Sequence, residues 1–369
     1  MRQKKFLFVL GTRPEAIKLA PLIRAMTQTA DFQPLVCATG QHKEMLTQAL
    51  RFFQIRPQFD LKIMRRDQTL SGLTARLLSK LDRVIDKAQP DYIVVQGDTT
   101  SALAGALAGY YHKIPVAHVE AGLRSGAKYS PYPEELNRKL IGHLADYHFA
   151  PTKTAADNLR QENITKNIYT VGNTVVDALF LGLDIIKKNP EPYAKYFAFL
   201  DQQKKIILVT GHRRESFGRQ FENICSALRD IARQHRDVQI VYPVHLNPHV
   251  RRPVFETLGK EKNIHLLKPL AYPYLLWLLE KCFFVLTDSG GLQEEAPSLG
   301  KPTLVMRQVT ERLEGIQAGN AVLIGTERKN IVRQAQRLLT EQKTYKKMAS
   351  AKNPYGDGRA VFKILKVLG

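Results

Sequence analysis

Residues Leu286 to Pro302 read LTDSGGLQEEAPSLGKP, and the fold is decided by how this stretch is read. The apolar run Phe283-Phe284-Val285-Leu286 predicts a buried strand ending at Thr287-Asp288. Ser289-Gly290-Gly291 then opens a helical segment that stops at Gly300, before Pro302. A strand feeding a glycine-rich turn into a helix gathers backbone N–H groups and the positive end of the helix dipole at one point, which suits an anion such as a diphosphate. Glycines there let the anion approach without meeting a Cβ. Glu294 and Glu295 lie about one turn further in, where a carboxylate can accept hydrogen bonds from ribose hydroxyls. An ordinary strand–helix turn with a solvated Glu pair fits the same letters.

Outward from this stretch, strand and helix patterns alternate almost throughout. Phe6–Leu10, Pro34–Ala38, Tyr92–Gln96, Val116–Val119, Tyr147–Ala150 and Tyr169–Val171 read as short buried strands. A second series follows: Ile206–Thr210, Val238–Tyr242, Ile264–Leu267, Phe283–Thr287, Thr303–Met306 and Ala321–Ile324. Amphipathic helical stretches separate most of them, the pattern of parallel sheets covered on both faces. The expected architecture is therefore α/β, with two Rossmann-like domains facing a central cleft. We expect the first domain over residues 1–172 and the second over 173–352. A last helix, within 353–369, is expected to pack back on the first.

Bulk properties bound the function. The 369 residues are enough for two domains of ordinary size. No apolar stretch reaches the roughly 20 residues needed to span a bilayer. The N-terminus, MRQKKFLFVLGTRPE, reads as the first strand and not as a signal peptide, since its apolar run is short and lacks a small-residue cleavage site. Cys37, Cys225 and Cys282 are far apart, with neither disulfide nor zinc spacing, and fit a reducing cytoplasm. The net charge of +21 is scattered over the chain, as in Lys187-Lys188, Lys204-Lys205, Arg251-Arg252 and Lys346-Lys347. Scattered charge reads as a basic solvated surface that steers anions, and not as a specific nucleic-acid stripe.

Candidate chemistry lies just past strand ends, where a doubly wound sheet presents its ligand crevice. The first strand runs into Gly11-Thr12-Arg13-Pro14-Glu15-Ala16-Ile17-Lys18 where a dinucleotide sheet would carry G-x-G-x-x-G, which argues against NAD. Arg13 and Lys18 suit phosphate contact, Arg13 through its planar fork. Tyr92–Gln96 ends in Gly97-Asp98-Thr99-Thr100, and Val116–Val119 in Glu120-Ala121-Gly122, so Asp98 and Glu120 aim two carboxylates at one cleft. Asp98 also fits as an N-cap of the following helix. Glu134, at the helix start Pro133-Glu134-Glu135, fits either as a cap or as a site residue. In the second series His212 follows a strand beside Arg213 and Arg214, a grouping suited to a diphosphate. His245 follows another strand, and Thr310-Glu311-Arg312 supplies a further cation.

The segments GTRPEAIK, QGDTTSALA, HVEAGLRS, YSPYPEELNRK, VGNTVVDAL, VTGHRRESFG, YPVHLNP, TDSGGLQEEAPSLGKP and NPYGDG together resemble the non-hydrolysing UDP-N-acetylglucosamine 2-epimerases, in order and over nearly the whole chain. The resemblance implies a glycosyltransferase-B fold and interconversion of UDP-N-acetylglucosamine and UDP-N-acetylmannosamine, without cofactor or metal. It implies Asp98, Glu120 and Glu134 as acidic participants. His212, Arg13 and the Ser289-Gly290-Gly291 turn would hold the diphosphate, and Glu295 the ribose. Lys18, His245, Tyr274 and Arg312 would be further ligand contacts. A cytoplasmic homodimer supplying surface-polysaccharide precursor is the implied setting.

Departures from the family pattern set the alternatives. Thr310-Glu311-Arg312-Leu313-Glu314-Gly315 replaces a proline and an alanine, removing a fixed φ from the loop that presents Arg312. Leu270-Ala271-Tyr272-Pro273-Tyr274 stands where many relatives have Gln and then Phe near the uracil pocket. Gln41-His42-Lys43-Glu44 departs from the Q-H-R-Q of members activated by a second substrate molecule, so that regulation is not carried over. A hydrolysing epimerase and a glycosyltransferase on the same fold stay open, although Thr287 occupies the first position of the transferases' Glu-x7-Glu pair. A polyanion binder is motivated by charge alone.

Overall fold

A computed structural model describes residues 2–40, 43–65 and 68–369, so Gln41 and His42 of the segment noted above lie outside the described residues. The chain divides into two units, Met1–Leu181 with Tyr355–Gly369, and Gly182–Pro354.

In the first unit β1 (Lys4–Leu10), β2 (Phe32–Ala38), β3 (Phe59–Asp60), β4 (Tyr92–Gln96), β5 (Val116–Val119), β6 (Tyr147–Ala150) and β7 (Ile168–Thr170) form a sheet in the order β3-β2-β1-β4-β5-β6-β7. Every pairing is parallel, with Gln96 opposite Val119 and His118 opposite His148. Phe6 to Leu10 are fully buried, as a strand covered by helices on both faces requires. One covering helix, Leu70–Ala88, turns Leu73, Leu77, Leu81 and Val84 inward, the spacing of an amphipathic helix.

The second unit repeats the plan. Strands β8 (Lys205–Thr210), β9 (Val238–Pro243), β10 (Ile264–Leu267), β11 (Phe284–Thr287), β12 (Thr303–Val305) and β13 (Ala321–Leu323) lie in the order β10-β9-β8-β11-β12-β13, again all parallel. The helix Arg219–Gln234 buries Phe221, Ile224, Leu228 and Ile231 against this sheet's core. Strand order reverses between β1 and β4 in one sheet and between β8 and β11 in the other. A doubly wound sheet opens its ligand crevice at such switch points.

The C-terminal helix Ala360–Leu368 belongs to the first unit. Asp177 caps it, its two carboxylate oxygens accepting the N–H groups of Ala360 at 3.3 Å and Val361 at 3.0 Å. Lys363 donates to the Val171 carbonyl, and Lys4 reaches the Leu368 carbonyl. Among the described residues no helix is long and apolar enough to cross a membrane.

Candidate functional site

At the first unit's switch point, β1 leads through Gly11 and Thr12 into the helix Arg13–Thr27. Glu15, 1% exposed, folds back on this turn. Its Oε2 accepts the N–H groups of Gly11 at 3.0 Å and Thr12 at 2.7 Å, and its Oε1 accepts the Thr99 hydroxyl at 2.7 Å. Burial raises its pKa and these donors oppose the rise. The N–H groups that hold a diphosphate in a dinucleotide-binding sheet are thus occupied by the chain's own carboxylate. Arg13, half-buried, opens the helix.

Asp98 and Glu120 follow β4 and β5. Glu120 stands in the left-handed region at φ 65°, a conformation that costs a non-glycine residue energy and clusters at functional sites. Its carboxylate is enclosed by donors: Lys18 on Oε1, Gln96 on Oε2, and the Asn173 amide on Oε1 at 3.0 Å. The Lys18–Glu120 side chains are 13% and 6% exposed. A buried charge persists only when paired and hydrogen-bonded, and Lys18 supplies the pairing.

Asp98 does not cap the next helix. Thr99 does, its hydroxyl accepting the Ala102 N–H at 3.1 Å, which frees the Asp98 side chain to accept Arg138 Nε at 2.7 Å. Burial pushes the Asp98 carboxyl above its ordinary value, Arg138 pulls it down, and the charge of Glu120 pushes it up again. For Arg138, burial acts downward and is outweighed by Asp98, so its pKa is raised. Glu134 opens the helix Glu134–Leu144, half-buried, with Pro133 as the capping residue. Its neighbour Glu135 is 1% exposed and holds the preceding loop, accepting Ser125 N–H at 2.9 Å and Gly126 N–H at 3.2 Å, while Arg138 reaches it at 3.1 Å.

The second unit builds its site on β8 and β11. Asp288, 3% exposed, accepts the N–H groups of His212 and Arg213 at 2.6 and 2.7 Å. The His212 ring stacks on His245 with centroids 5.5 Å apart and planes 14° apart. His245 is fixed in turn by accepting Asn247 N–H on Nδ1 at 3.1 Å. Ser289 precedes a short helix, Gly290–Glu295, whose first N–H groups have no acceptor within the helix itself. A Cβ built on Gly290 would lie 3.6 Å from the Arg312 guanidinium, so that cation lies against the turn, and Gly291 follows in the first helical turn. Arg312 is held by Glu294 at 2.8 Å and Glu311 at 3.1 Å. Glu295, 5% exposed, accepts the Tyr272 hydroxyl at 2.8 Å. Tyr274 packs its ring among Tyr193, Tyr196 and Phe197.

Among the sequence candidates, the first unit therefore groups Lys18 with Glu120 and places Asp98 on the neighbouring strand end. The second groups His212 with His245, and Gly290 with Arg312. Sequence reading passed over Glu15, Gln96, Glu135, Arg138, Asn173, Tyr272 and Asp288. Only Gln96 and Asp288 carried a signal that it used elsewhere, adjacency to a strand's carboxyl end. The three cysteines are buried thiols pushed up to about 12 by burial, which makes them poor nucleophiles near neutral pH. Among the described residues no group of three or more His, Cys, Asp or Glu is placed to hold a metal ion.

Comparison with known proteins places this architecture. Residues 24–369 match the family model of UDP-N-acetylglucosamine 2-epimerase. A Yersinia pestis protein named UDP-N-acetylglucosamine 2-epimerase is 54% identical over 368 residues, covering 99% of this chain and 98% of its own. The Escherichia coli K12 protein of the same name is 52% identical with the same coverage. Among solved structures, a Neisseria meningitidis UDP-GlcNAc 2-epimerase bound to UDP-GlcNAc superposes with a TM-score of 0.91 at 43% identity, covering 99% of both chains. Two parallel α/β sheets of glycosyltransferase-B type and identity above half over almost the full length lead to one conclusion: this chain belongs to the UDP-N-acetylglucosamine 2-epimerase family.

Proposed function

We propose that the protein interconverts UDP-N-acetylglucosamine and UDP-N-acetylmannosamine by elimination and re-addition of UDP. The C2 hydrogen of the sugar has no carbonyl beside it, so its removal needs another driving force. When the C1–O bond breaks and its electron pair leaves with UDP, positive character develops at C1. A carboxylate then takes the C2 proton, and the C2–H pair becomes the C1=C2 bond of a 2-acetamidoglucal. Reprotonation of C2 on the opposite face and return of a UDP oxygen to C1 give the epimer. No net oxidation occurs.

Two proton-transfer groups are required, one for each face. Asp98 and Glu120 fill these roles, and the observation that carries the reading is their placement on adjacent strand ends in unlike settings: Glu120 enclosed by Lys18, Gln96 and Asn173, Asp98 raised by burial and restrained by Arg138. Groups whose environments differ can divide acid and base duties. Glu134 is the third acidic participant. His212, Arg13 and the Ser289-Gly290-Gly291 turn stabilise the departing diphosphate, as preorganised donors and cations do where charge develops, and Lys18 and Arg312 are further ligand contacts. Glu295 takes the ribose, with Tyr272 fixing its carboxylate, and His245 and Tyr274 complete the nucleotide contacts. The relative solved with UDP-GlcNAc bound supports the substrate class.

The assembly we propose is a cytoplasmic homodimer that supplies precursor for surface polysaccharide. The helices Thr100–Tyr111 and Glu134–Leu144 pack together and leave Tyr110, Tyr111, Leu136 and Leu140 exposed, apolar side chains that a second copy would cover. Sedimentation equilibrium tests it. The reaction is tested by incubating the protein with UDP-N-acetylglucosamine alone in deuterated water. UDP-N-acetylmannosamine carrying deuterium at C2 is expected. Free N-acetylmannosamine with UDP would mean hydrolysis, and turnover only with an acceptor sugar would mean glycosyl transfer.

A further inference from the structure

His118 is a buried titratable residue whose chemistry the proposed reaction does not use. It is 1% exposed on β5, two residues before Glu120. Its Nε2 donates to the Gly97 carbonyl at 2.8 Å, and the Gly97 N–H donates to the Val119 carbonyl at 3.0 Å. Gly97, which joins β4 to Asp98, is therefore tied to β5 through both its N–H and its C=O. Gly97 adopts φ 68°, and a Cβ there would lie 3.5 Å from Glu120 Oε2, so the two strand ends meet closely at this point. The bond to a carbonyl requires the proton on Nε2. Nδ1 is left buried without a partner, a cost of about 1–3 kcal/mol for such a group that packing alone would avoid by using an apolar side chain here.

We infer that His118 is a positioning residue that fixes the spacing of Asp98 and Glu120, and through it the fraction of intermediates reprotonated on the opposite face of C2. The inference rests on the assignment of those two carboxylates as the proton-transfer pair. If the clasp is lost, the Asp98 loop moves relative to Glu120. A proton can still be removed and returned by the nearer group, whereas delivery from the other face is impaired. Exchange of solvent deuterium into C2 of the recovered starting material then outruns epimer formation.

The test measures, in deuterated water with UDP-N-acetylglucosamine, the ratio of C2 deuterium in recovered substrate to epimer formed. His118→Phe fills the space without a donor, and the ratio should rise by roughly tenfold with KM within about twofold of wild type, given that a displacement of about 1 Å can cost on the order of 100-fold in rate. His118→Gln, whose amide nitrogen can stand in for Nε2, should restore the wild-type ratio. If His118→Phe does not fold, His118→Asn, whose amide stops short of Gly97, is compared with His118→Gln, and the same difference is expected. An equal ratio across donor-containing and donor-lacking variants overturns the inference. Absence of deuterium from the wild-type product overturns instead the proton-transfer reading on which it rests.

Discussion

Asp288 holds His212 by the backbone: Oδ2 accepts its N–H at 2.6 Å, and Oδ1, which accepts no hydrogen bond among the described residues, lies 3.3 Å from the ring Nδ1. The same Oδ2 accepts Arg213 N–H at 2.7 Å. The carboxylate at the end of β11 thereby shapes the turn after β8, and with it the orientation of a histidine assigned to the leaving diphosphate. Asp288→Ala strands two backbone donors, each at about 1–3 kcal/mol if they stay buried. A loss of about 2–6 kcal/mol in urea unfolding is expected, with UDP binding weakened further in titration calorimetry. Full stability with unchanged UDP affinity would show that the turn forms without it.

Lys18 and Glu120 form a pair in which each side chain needs the other. Glu120→Gln can accept on only one oxygen while three donors remain around it. The expected result is a fall in kcat of about 10²–10⁴, the range for a lost general base, together with reduced stability, since an unpaired buried charge is costly. Adding Lys18→Met should recover much of the stability and none of the activity. The non-additive stability is the signature to measure in a double-mutant cycle.

Buried titrating groups give this protein two opposed pH responses. Burial pushes His118 down to about 3 and His148 down to about 4, from 6.5. The unfolded chain protonates both near 6.5, so stability present above that pH is lost as pH falls toward 4, at up to about 1.4 kcal/mol per pH unit for each histidine. Asp177 runs the other way, raised by burial from 3.8 to about 6. Its contribution is full below 3.8 and lost as pH rises through about 6, a span of about two units or about 3 kcal/mol at most. Urea unfolding from pH 4 to 7 should therefore show Asp177→Asn gaining on the wild type as pH rises. A constant difference between the two would contradict the assignment.

Arg312 presents a planar fork beside Gly290, anchored by Glu294. Arg312→Lys keeps the charge and loses the fork. KM for the nucleotide sugar should rise by roughly tenfold, with the midpoint of unfolding nearly unchanged, as about 1.4 kcal/mol of binding corresponds to that factor. Restoring proline at the following position, Leu313→Pro, tests whether the loop's lost rigidity already weakens this contact.

The architecture was legible because strands at the centre of each sheet carry unbroken apolar runs, such as Phe6–Leu10, Ile206–Val209 and Phe284–Leu286, that only a sheet covered on both sides can bury. Strand β3 escaped notice because Phe59–Asp60 is two residues long with one of them charged. Asp98 and Glu120 were legible by position, since both follow strands that point at a switch point. Their partners were not. Arg138 lies 40 residues from Asp98 and Asn173 lies 53 from Glu120, and no local pattern marks which polar side chain will be drawn inward. The cap reading of Asp98 failed for a related reason: Thr99 is also a favoured capping residue, and its hydroxyl takes the Ala102 N–H while Asp98 pairs with the distant Arg138. Tyr272 and Tyr274 are likewise indistinguishable as letters, and the helix Tyr272–Lys281 determines which one meets Glu295.

The central claim, that UDP departs from C1 and returns, is tested most directly by an isotope in the bridging oxygen. UDP-N-acetylglucosamine labelled with ¹⁸O between C1 and the β-phosphorus is incubated with the protein, and the nucleotide sugars are examined by ³¹P NMR. If the C1–O bond breaks, the freed β-phosphate rotates, and the label should spread into the non-bridging positions as the epimer accumulates. Epimer formed with all of the label still in the bridge would contradict the account.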